Sequence, residues 1–492
     1  MSSQNPPQPL TAGIIGAGIA GLSVGIALRR AGFQVEVYER SRFKNEIGAA
    51  ITMPPNATRI LRQWGFDFDT ARPVPNVCTR YIAANSLETI FESSYADIEA
   101  QMGAPCLSFH RVDLHKGLRA LATEGSKTGD DTDDGCEGGS GNKTKGTPVA
   151  IRLGCEVQNV DCENGILTLA DGSKVQKDLV IIADGGHSKL LTDFLGRSAP
   201  TQPTGRSIYR WLVSSDCLES HPEISDAFSG GLDGFVGWSD PIKHVLWIIY
   251  ACSGGTLLNS AVVHDTEDDV PSQPSSNDMN GLSDHGAKIE NENGQNDETE
   301  QTSWSTPATK EAVLTTCSNF HPSIRQLVSL ASEDGIKVHR LFKHPSLESF
   351  VNGRTAIIGD AAHVMMPTHA AGAAMAIESA GVLFCLFKGL ECRLNEPADW
   401  FGKRESIIRE RLELFDKLRI PRCNLAMLLS NAGSEGLRLP GVEQEIRRFY
   451  QGPLPSKDAV PWSAELREIL FNYNAFEKAA QALGNEVEGK GS

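Results

Sequence analysis

The first forty residues place short apolar runs between turn residues. Thr11–Ile15 has the length and apolar character of a buried strand. Residues 22–31 space their apolar side chains like a helix, which would stop at Gly32. Residues 34–38 alternate toward a second strand that ends at Glu39. This order of strand, glycine turn, helix and strand predicts the first unit of a doubly wound dinucleotide-binding fold.

Two segments lack this patterning. Residues 122–148 and 264–303 are rich in Gly, Ser, Asn, Asp and Glu and hold few apolar residues. Such segments cannot bury enough surface to offset their ordering entropy, so we expect both to be disordered surface insertions. Strand-like residues flank each of them, at 149–153 and 245–251, so the insertions interrupt domains rather than separate them. Residues 398–430 have the spacing of an amphipathic helix.

Length and charge narrow the class of protein. A chain of 492 residues is long enough for two or three domains. Its formal net charge is −16, of which the two expected insertions carry −3 and −10, so the rest is nearly neutral. An acidic chain without a Lys/Arg cluster is not expected to bind nucleic acid.

Cysteine spacing and the N-terminus bear on location. The eleven cysteines lie far apart without a Cys-x-x-Cys pair, which predicts neither a metal site nor a disulfide framework. Residues 1–9 are polar and proline-rich, unlike a signal or transit peptide. No apolar run approaches the roughly 18 residues of a membrane helix. We therefore expect a cytoplasmic protein without a transmembrane segment.

The glycine turn carries the first candidate chemistry. Gly16 permits the tight turn, Gly18 lets the backbone approach a pyrophosphate, and Gly21 lets the helix pack closely on the strand. The N–H groups at the start of the helix favour phosphate binding. Glu39, at the end of the second strand, can accept hydrogen bonds from a ribose diol. These residues predict dinucleotide binding.

Two later strands also end in acidic turns. Asp184 and Gly185 follow the apolar residues 179–183, although any strand ending in an Asp-Gly turn has this pattern. Asp360 follows Gly359 at the end of another apolar run and can hydrogen-bond a sugar or ribityl hydroxyl. An alanine-rich helix starts near Gly372, where its N-terminus can stabilise negative charge on a ring.

Taken in order, these motifs resemble those of single-component FAD-dependent aromatic monooxygenases, in particular fungal enzymes of the salicylate-hydroxylase type. The likeness covers about residues 10–430 without the two insertions, and includes residues 48–61, 109–118 and 209–211. It implies an α/β fold with a Rossmann-like FAD-binding domain, an interleaved β-sheet substrate domain and C-terminal helices. The implied parts are 10–200 (FAD-binding, first part), 201–345 (substrate sheet), 346–430 (FAD-binding, second part) and 431–492 (C-terminal helical extension and tail).

The resemblance also implies roles for single residues around FAD. Glu39 would bind the adenosine ribose, Arg111 the diphosphate or ribityl region, and Asp360 the ribityl chain. The remaining implied contacts are the backbone of Ala50 along the cofactor, the turn at Asp184 for both FAD and NAD(P)H, Pro367 beside the isoalloxazine, and Gly372 with Ala373 under its pyrimidine end. The sequence departs from the family at Leu191, Ala371 and Ser379, where arginine, glutamine and aspartate are usual.

The implied reaction consumes NAD(P)H and O2. Only one glycine fingerprint is present, so NAD(P)H would bind transiently as a co-substrate. Reduced flavin would form a C4a-hydroperoxide that hydroxylates a phenolic or aromatic-acid metabolite, in secondary metabolism. The sequence does not indicate the oligomeric state.

Two residues are candidates on the substrate side. Arg210 lies in an alternating strand, and in similar hydroxylases an arginine at this place binds substrate; the alternative is a surface ion pair. Tyr250, at the end of another strand, is the weaker candidate. Three alternatives to aromatic hydroxylation stay open: epoxidation of an alkene on a polyketide or prenylated scaffold, a flavin-binding protein without turnover, and, from the glycine turn alone, an NAD-dependent dehydrogenase.

Overall fold

The computed structural model describes residues 9–43, 48–124, 147–199, 201–228, 230–266, 305–390 and 400–489. Most of the two expected insertions, residues 125–146 and 267–304, lies outside these ranges. The predicted first residue of each insertion is wrong. A helix continues to Glu124 and a strand continues to Asp265, because regular hydrogen bonding extends past the last apolar residues.

The strands of the described residues are β1 (Thr11–Ile15), β2 (Gln34–Glu39), β3 (Ala50–Met53), β4 (Val74–Pro75), β5 (Cys78–Ala83), β6 (Thr89–Ser94), β7 (Leu107–His110), β8 (Ala150–Leu153), β9 (Val157–Asp161), β10 (Ile166–Leu169), β11 (Lys174–Gln176), β12 (Leu179–Ile182), β13 (Gln202–Ser214), β14 (Phe235–Asp240), β15 (Val245–Cys252), β16 (Leu257–Asp265), β17 (Ser305–Pro307), β18 (Lys337–Lys343), β19 (Val351–Asn352) and β20 (Thr355–Ile357).

The helices of the same residues are α1 (Ile19–Arg30), α2 (Pro55–Gln63), α3 (Phe68–Ala71), α4 (Ile98–Met102), α5 (Arg111–Glu124), α6 (Leu191–Leu195), α7 (Cys217–Ser220), α8 (Lys310–Thr316), α9 (Pro322–Gln326), α10 (Asp360–His363), α11 (Ala371–Phe387), α12 (Trp400–Asn431), α13 (Val442–Phe449), α14 (Ala464–Phe471) and α15 (Ala475–Gly489). Short 3-10 turns cover Pro222–Phe228, Ser253–Gly255, Pro367–His369 and Gly436–Arg438.

A six-stranded sheet forms the first half of the molecule, in the order β19-β20-β12-β1-β2-β8. Its strands are parallel except for β19. All four residues of β12 are buried, as expected for a parallel strand covered on both faces. The predicted Rossmann-like unit is therefore confirmed, with α1 beginning three residues earlier than the sequence pattern suggested.

An eight-stranded sheet forms the second half, in the order β17-β18-β13-β16-β15-β14-β5-β6. Side chains alternate between its faces. One face packs with α8 and α9 in a separate apolar core that includes Trp211, Trp238 and Trp247. On the other face, Ile248 and Tyr250 pack against the core of the six-stranded half. The second face, which carries Arg210, is therefore the one directed at the six-stranded half.

The eight-stranded sheet corrects the expected division of the chain. Residues 10–200 were assigned wholly to the FAD-binding part, but β5 and β6 belong to the substrate sheet. β5 enters it by pairing in parallel with β14, so that Gly237 lies opposite Tyr81. A pairing between strands so far apart in the chain leaves no local pattern in either segment, which is why the sequence did not predict it.

The C-terminal extension is part of the core. The indole of Trp462 lies between the two halves, with its ring centroid 4.5 Å from that of Phe235 in the eight-stranded sheet. Its Nε1 donates a hydrogen bond to the carbonyl oxygen of Thr368, at 3.1 Å. Trp462 thus contacts both the third motif and the eight-stranded sheet.

The lengths and composition of the helices also bear on membrane insertion. Over the ranges given above, none is both long and apolar enough to span a bilayer.

Candidate active site

The three glycines of the first motif meet different surroundings. A Cβ built on Gly16, which has φ +95°, would lie 2.5 Å from the carbonyl oxygen of Ala183, and one on Gly21 would lie 1.9 Å from that of Gly16. A Cβ on Gly18 would meet nothing within 4 Å. Gly16 and Gly21 are therefore required by packing. Gly18 instead leaves open space in front of the helix.

That space faces the N-terminus of α1. Gly18 is the N-cap residue, no side chain caps the first turn, and the first turn holds no acidic residue. Because the first N–H groups of a helix have no partner within it, they and the helix dipole favour a phosphate at this position. The geometry fits the pyrophosphate of a dinucleotide.

Glu39 braces this turn from the end of β2. One carboxylate oxygen accepts the backbone N–H of Ala17 at 2.7 Å, and the other accepts that of Ser41 at 2.7 Å. Each oxygen keeps a further lone pair for a ribose hydroxyl. The contact between Glu39 and a ribose remains a prediction. The structure adds that the Glu39 carboxylate is held next to the glycine turn.

The three motifs converge. A Cβ on Gly359 would lie 2.8 Å from the Cβ of Ala20 in α1. Asp360, the next residue, is exposed, and its Oδ1 lies 3.8 Å from the position of a Cβ on Gly372. A Cβ on Gly186, after the Asp-Gly turn, would lie 3.8 Å from the Cβ of Asp360. Loops that are far apart in the sequence therefore form one continuous cradle.

Asp184 contributes a buried polar atom to the cradle. Its Oδ1 is buried and has no hydrogen-bond partner among the residues that the structure describes. Burial raises the pKa of this carboxyl to about 6. A buried acceptor without a partner is costly, and FAD is rich in hydroxyl donors, so this atom fits the cofactor.

The third motif ends in a second open helix terminus. α11 begins after Ala370, a residue in the left-handed region, with no side-chain cap and no acidic residue in its first turn. Gly372 and Ala373 are half-buried there, and Pro367 is exposed just before it. Such a terminus can stabilise negative charge on a reduced ring, as predicted for Gly372 and Ala373. His363 is fully buried, and burial lowers its pKa to about 4, so it is a neutral group of the core.

Arg210 has no counter-ion among the residues that the structure describes. Its Nε is buried without a partner, and none of the hydrogen bonds or ion pairs of the described residues involves its guanidinium. Burial lowers the pKa of Arg210; Arg111 acts in the same direction and Tyr250 opposes it. The surface ion-pair alternative is therefore wrong for the described residues. Arg111 itself is exposed at the start of α5, where its N–H donates to the carbonyl of Ala49 at 2.9 Å.

Tyr250 joins the substrate sheet to β3. Its hydroxyl donates to the carbonyl oxygen of Ala50 at 3.1 Å, and the Ala50 N–H donates to Asn259 Oδ1 at 3.0 Å. Burial raises the pKa of Tyr250 to about 12, against the opposing effect of Arg210. Tyr250 is thus a neutral phenol. The cofactor contact predicted for the Ala50 backbone has only the second lone pair of its carbonyl available.

The surroundings of Leu191, Ala371 and Ser379, which depart from the family pattern, suit the residues that this chain has there. Leu191 and Ala371 are buried apolar residues of the main core. Ser379 accepts a hydrogen bond from Arg419 Nε at 3.0 Å. An aspartate there would add a second carboxylate beside Glu378, which already pairs with Arg419.

Sequence reasoning missed several residues of the site. Asn259 fixes β3, and Trp462 contacts both halves. Tyr81 lies on the same face of the eight-stranded sheet as Arg210. Period-two alternation in β14, β15 and β16 could have assigned their faces, but not which strands are neighbours. Trp462 follows the stretch of family likeness and had no signal.

A polar cleft of about 250 Å³ lies beside the second motif. It is lined by Gly186, His187, Ser188, Thr192 and His344, among others. His344 Nε2 lies 3.3 Å from the carbonyl oxygen of Gly186. The cleft adjoins the cradle but is separate from the face that carries Arg210.

Comparison with known families agrees with this geometry. Residues 14–52 match the family described as NAD(P)-binding Rossmann-like domain, and residues 294–399 match the family described as FAD binding domain. These two segments contain the first and third motifs. The description of the second match agrees with FAD as the cofactor.

Similar proteins cover nearly the whole chain. Hispidin-3-hydroxylase of Neonothopanus nambi is 29% identical over 482 residues, 96% of this chain and 95% of that protein. An FAD-dependent monooxygenase of Aspergillus candidus is 29% identical over 494 residues, 97% of this chain and 98% of that protein. Among solved structures, a salicylate hydroxylase in a substrate complex has a TM-score of 0.66 at 21% identity, covering 96% of this chain and 98% of that one. The resemblance drawn from the motifs, the α/β fold and the FAD cofactor are thereby confirmed.

Proposed function

We propose that this chain, an FAD-dependent oxidoreductase homologous to fungal monooxygenases, hydroxylates an anionic aromatic metabolite of secondary metabolism. The half-buried side chain of Arg210 carries the proposal, because its buried Nε has no hydrogen-bond partner among the described residues. It lies on the sheet face that packs against the six-stranded half. An unpaired buried cation destabilises the protein, and an anionic ligand would remove that cost. The ring would thus be held between the sheet and the cofactor.

The residues of the cradle would hold FAD. The N-terminus of α1 at Gly18 would take the pyrophosphate, and Asp184 and Asp360 would accept hydrogen bonds from hydroxyl groups. Bound FAD supplies the electron transfer and the activation of dioxygen. In the balanced reaction, NAD(P)H and a proton provide two electrons and two protons. One oxygen atom of O2 is inserted into an aromatic C–H bond, which gives a hydroxyl group, and the other leaves as water.

Arg210 would do two things for the substrate. A nearby cation keeps a carboxylate or phenolate ionised, which makes a phenolic ring more electron-rich and easier to oxidise. Fixing that group also fixes which ring carbon faces the cofactor. Trp462 and Phe235, in contact at the boundary between the two halves, would keep water out.

We assign NAD(P)H to the cleft beside the second motif. The cleft borders Gly186 and therefore the cradle, and its lining offers hydroxyl and imidazole groups to a phosphate. No acidic residue lines it, so an anionic co-substrate would meet no like charge. The sequence indicates no second Rossmann unit for NAD(P)H. A partly open cleft suits a co-substrate that binds and leaves in each turnover.

The test is oxygen insertion by the FAD-loaded protein. Wild type and Arg210→Gln are incubated with NADH or NADPH, isotopically labelled O2 and a panel of phenols and aromatic acids that includes salicylate and 4-hydroxybenzoate. We expect a product with one labelled oxygen and one fewer ring C–H bond. Losing a charge-assisted hydrogen bond should lower kcat/KM of the variant by about 10- to 100-fold, with flavin content unchanged.

Other outcomes have defined meanings. A yellow protein that oxidises no NAD(P)H with any of these compounds would contradict the proposal and favour a flavin-binding protein without turnover. Oxygen added across an alkene, with every ring C–H retained, would favour the epoxidase. Equal kcat/KM for wild type and Arg210→Gln would contradict the role of Arg210.

A further inference from the structure

Strand register places Arg210 in one straight row across the sheet. Arg210 in β13 pairs with Ala261 in β16, Ala261 with Ile248 in β15, and Ile248 with Gly237 in β14. Gly237 in turn pairs with Tyr81 in β5. Because directly opposed residues share a face, all five lie on the face directed at the FAD cradle. We call this set the Arg210–Tyr81 row.

The neighbouring row on the same face is occupied by other contacts. Asn259 and Tyr250 hold the backbone of Ala50, and Phe235 packs against Trp462. Thr79, opposite Phe235, hydrogen-bonds the hydroxyl of Tyr95 at 3.0 Å. These residues form a closed wall. The Arg210–Tyr81 row runs alongside it, and its Arg210, Ile248 and Tyr81 remain only half-buried.

The middle of the Arg210–Tyr81 row consists of small or apolar residues. Ala261 and Ile248 carry aliphatic side chains, and Gly237 carries none. The ring of Tyr81 lies over Gly237, because a Cβ built there would be 2.8 Å from Tyr81 Cδ1. The row is therefore a trough with an apolar floor, which suits the face of an aromatic ring.

The two ends of the trough are polar and have free bonding capacity. At one end the Arg210 guanidinium lacks a counter-ion, and the row continues to Lys337, which adds positive charge. At the other end, the Tyr81 hydroxyl makes no hydrogen bond to any residue within the described ranges. Four steps between neighbouring strands, at about 4.8 Å each, separate the ends by roughly 19 Å between Cα atoms.

We propose that the Arg210–Tyr81 row is the floor of the substrate site and that the substrate is an elongated, flat aromatic anion. Its acidic group binds Arg210, its ring system lies over Ala261 and Ile248, and a hydroxyl or carbonyl at its far end hydrogen-bonds Tyr81. Tyr81 is thus a specificity-determining residue that selects for length. A single-ring acid can reach Arg210 or Tyr81 but not both. This inference rests on the proposed function.

The experiment measures binding to the FAD-loaded protein by tryptophan fluorescence, so that no turnover is needed. Three probes are compared: 4-hydroxybenzoate, 4′-hydroxystilbene-4-carboxylate, and stilbene-4-carboxylate, which lacks the far hydroxyl. Tyr81→Phe should raise the Kd of the hydroxystilbene about fivefold, the value of one neutral hydrogen bond. The Kd values of the other two probes should stay within twofold. Arg210→Gln should weaken all three at least tenfold.

Two further variants guard the interpretation. Gly237→Ala would push the Tyr81 ring away, and should weaken the hydroxystilbene as Tyr81→Phe does. Tyr450→Phe removes a phenol hydroxyl from the C-terminal extension and should change none of the three Kd values. Suppose that wild type binds the probes but Tyr81→Phe changes all three Kd values equally or changes none. The proposal that Tyr81 selects long substrates is then wrong, while the proposed function stands. If wild type binds no aromatic acid, the proposed function itself fails.

Discussion

Two sets of arginine side chains in this molecule have opposite surroundings. Arg419 and Arg422, on α12, both pair with Glu378 of α11 at 2.8 Å. Arg422 also donates to the backbone carbonyls of Ile469 and Leu470. Arg210, on the substrate sheet, has no such partner among the described residues. We infer that the first pair of guanidinium groups serves the fold and that Arg210 serves a ligand.

The buried carboxylates show the same contrast. Burial alone would raise the pKa of Glu378, but Arg422 and Arg419 lower it below its usual range. Asp184 lacks a comparable pair, and burial raises its pKa to about 6. Burial of an ionisable group therefore does not by itself mark a functional site. The informative feature is a buried charge whose bonding capacity is left unfilled.

The largest expected effect on stability comes from removing the charge that pairs with Arg419 and Arg422. Glu378→Gln leaves two buried guanidinium groups without a counter-charge and should lower the free energy of unfolding by about 3–5 kcal/mol. Urea unfolding followed by circular dichroism measures this change. The exposed Glu443→Gln is the matched control and should stay within about 0.5 kcal/mol of wild type. A loss below about 1 kcal/mol in Glu378→Gln would contradict the structural role of the cluster.

A smaller effect should appear in the pH dependence of Asp184. Its folded pKa lies above the ordinary 3.8, so the folded state without FAD binds a proton more tightly than the unfolded state. The free energy of unfolding should therefore gain roughly 1.4 kcal/mol from this group as pH falls from 8 to 5. Comparing wild type with Asp184→Asn at both pH values isolates this gain. A difference between the two proteins that does not change with pH would show that the Asp184 carboxyl is not perturbed.

The smallest expected effect on stability comes from Tyr250, whose hydroxyl already donates a hydrogen bond within the protein. Tyr250→Phe removes the hydrogen bond to the Ala50 carbonyl and should lower the free energy of unfolding by about 1 kcal/mol. Because this hydroxyl is a wall contact, substrate Kd should change less than in Arg210→Gln. Fluorescence titration with 4-hydroxybenzoate checks this order. A larger loss of affinity in Tyr250→Phe would make Tyr250 the principal substrate contact.

Local sequence patterns predicted the cradle better than the substrate side. Roles could be predicted for Gly16, Gly18 and Gly21 because each is needed for a turn or a close approach within one strand–helix unit. Tyr81 could not, because its importance depends on β5 pairing with β14. Trp462 could not either, because its importance depends on a contact with Phe235, which is still more distant in the chain. Arg210 was predicted as a candidate, but only the structure shows that no described carboxylate lies beside it.

The central claim is that the half-buried Arg210, which has no counter-ion among the described residues, binds an anionic aromatic ligand. Thermal unfolding of the FAD-loaded protein tests this claim most directly. Wild type and Arg210→Met are melted with and without 4-hydroxybenzoate. We predict that the ligand raises the Tm of wild type only, and that the variant is at least as stable as wild type without ligand. A variant that is less stable than wild type and still gains the same Tm from the ligand would contradict the claim.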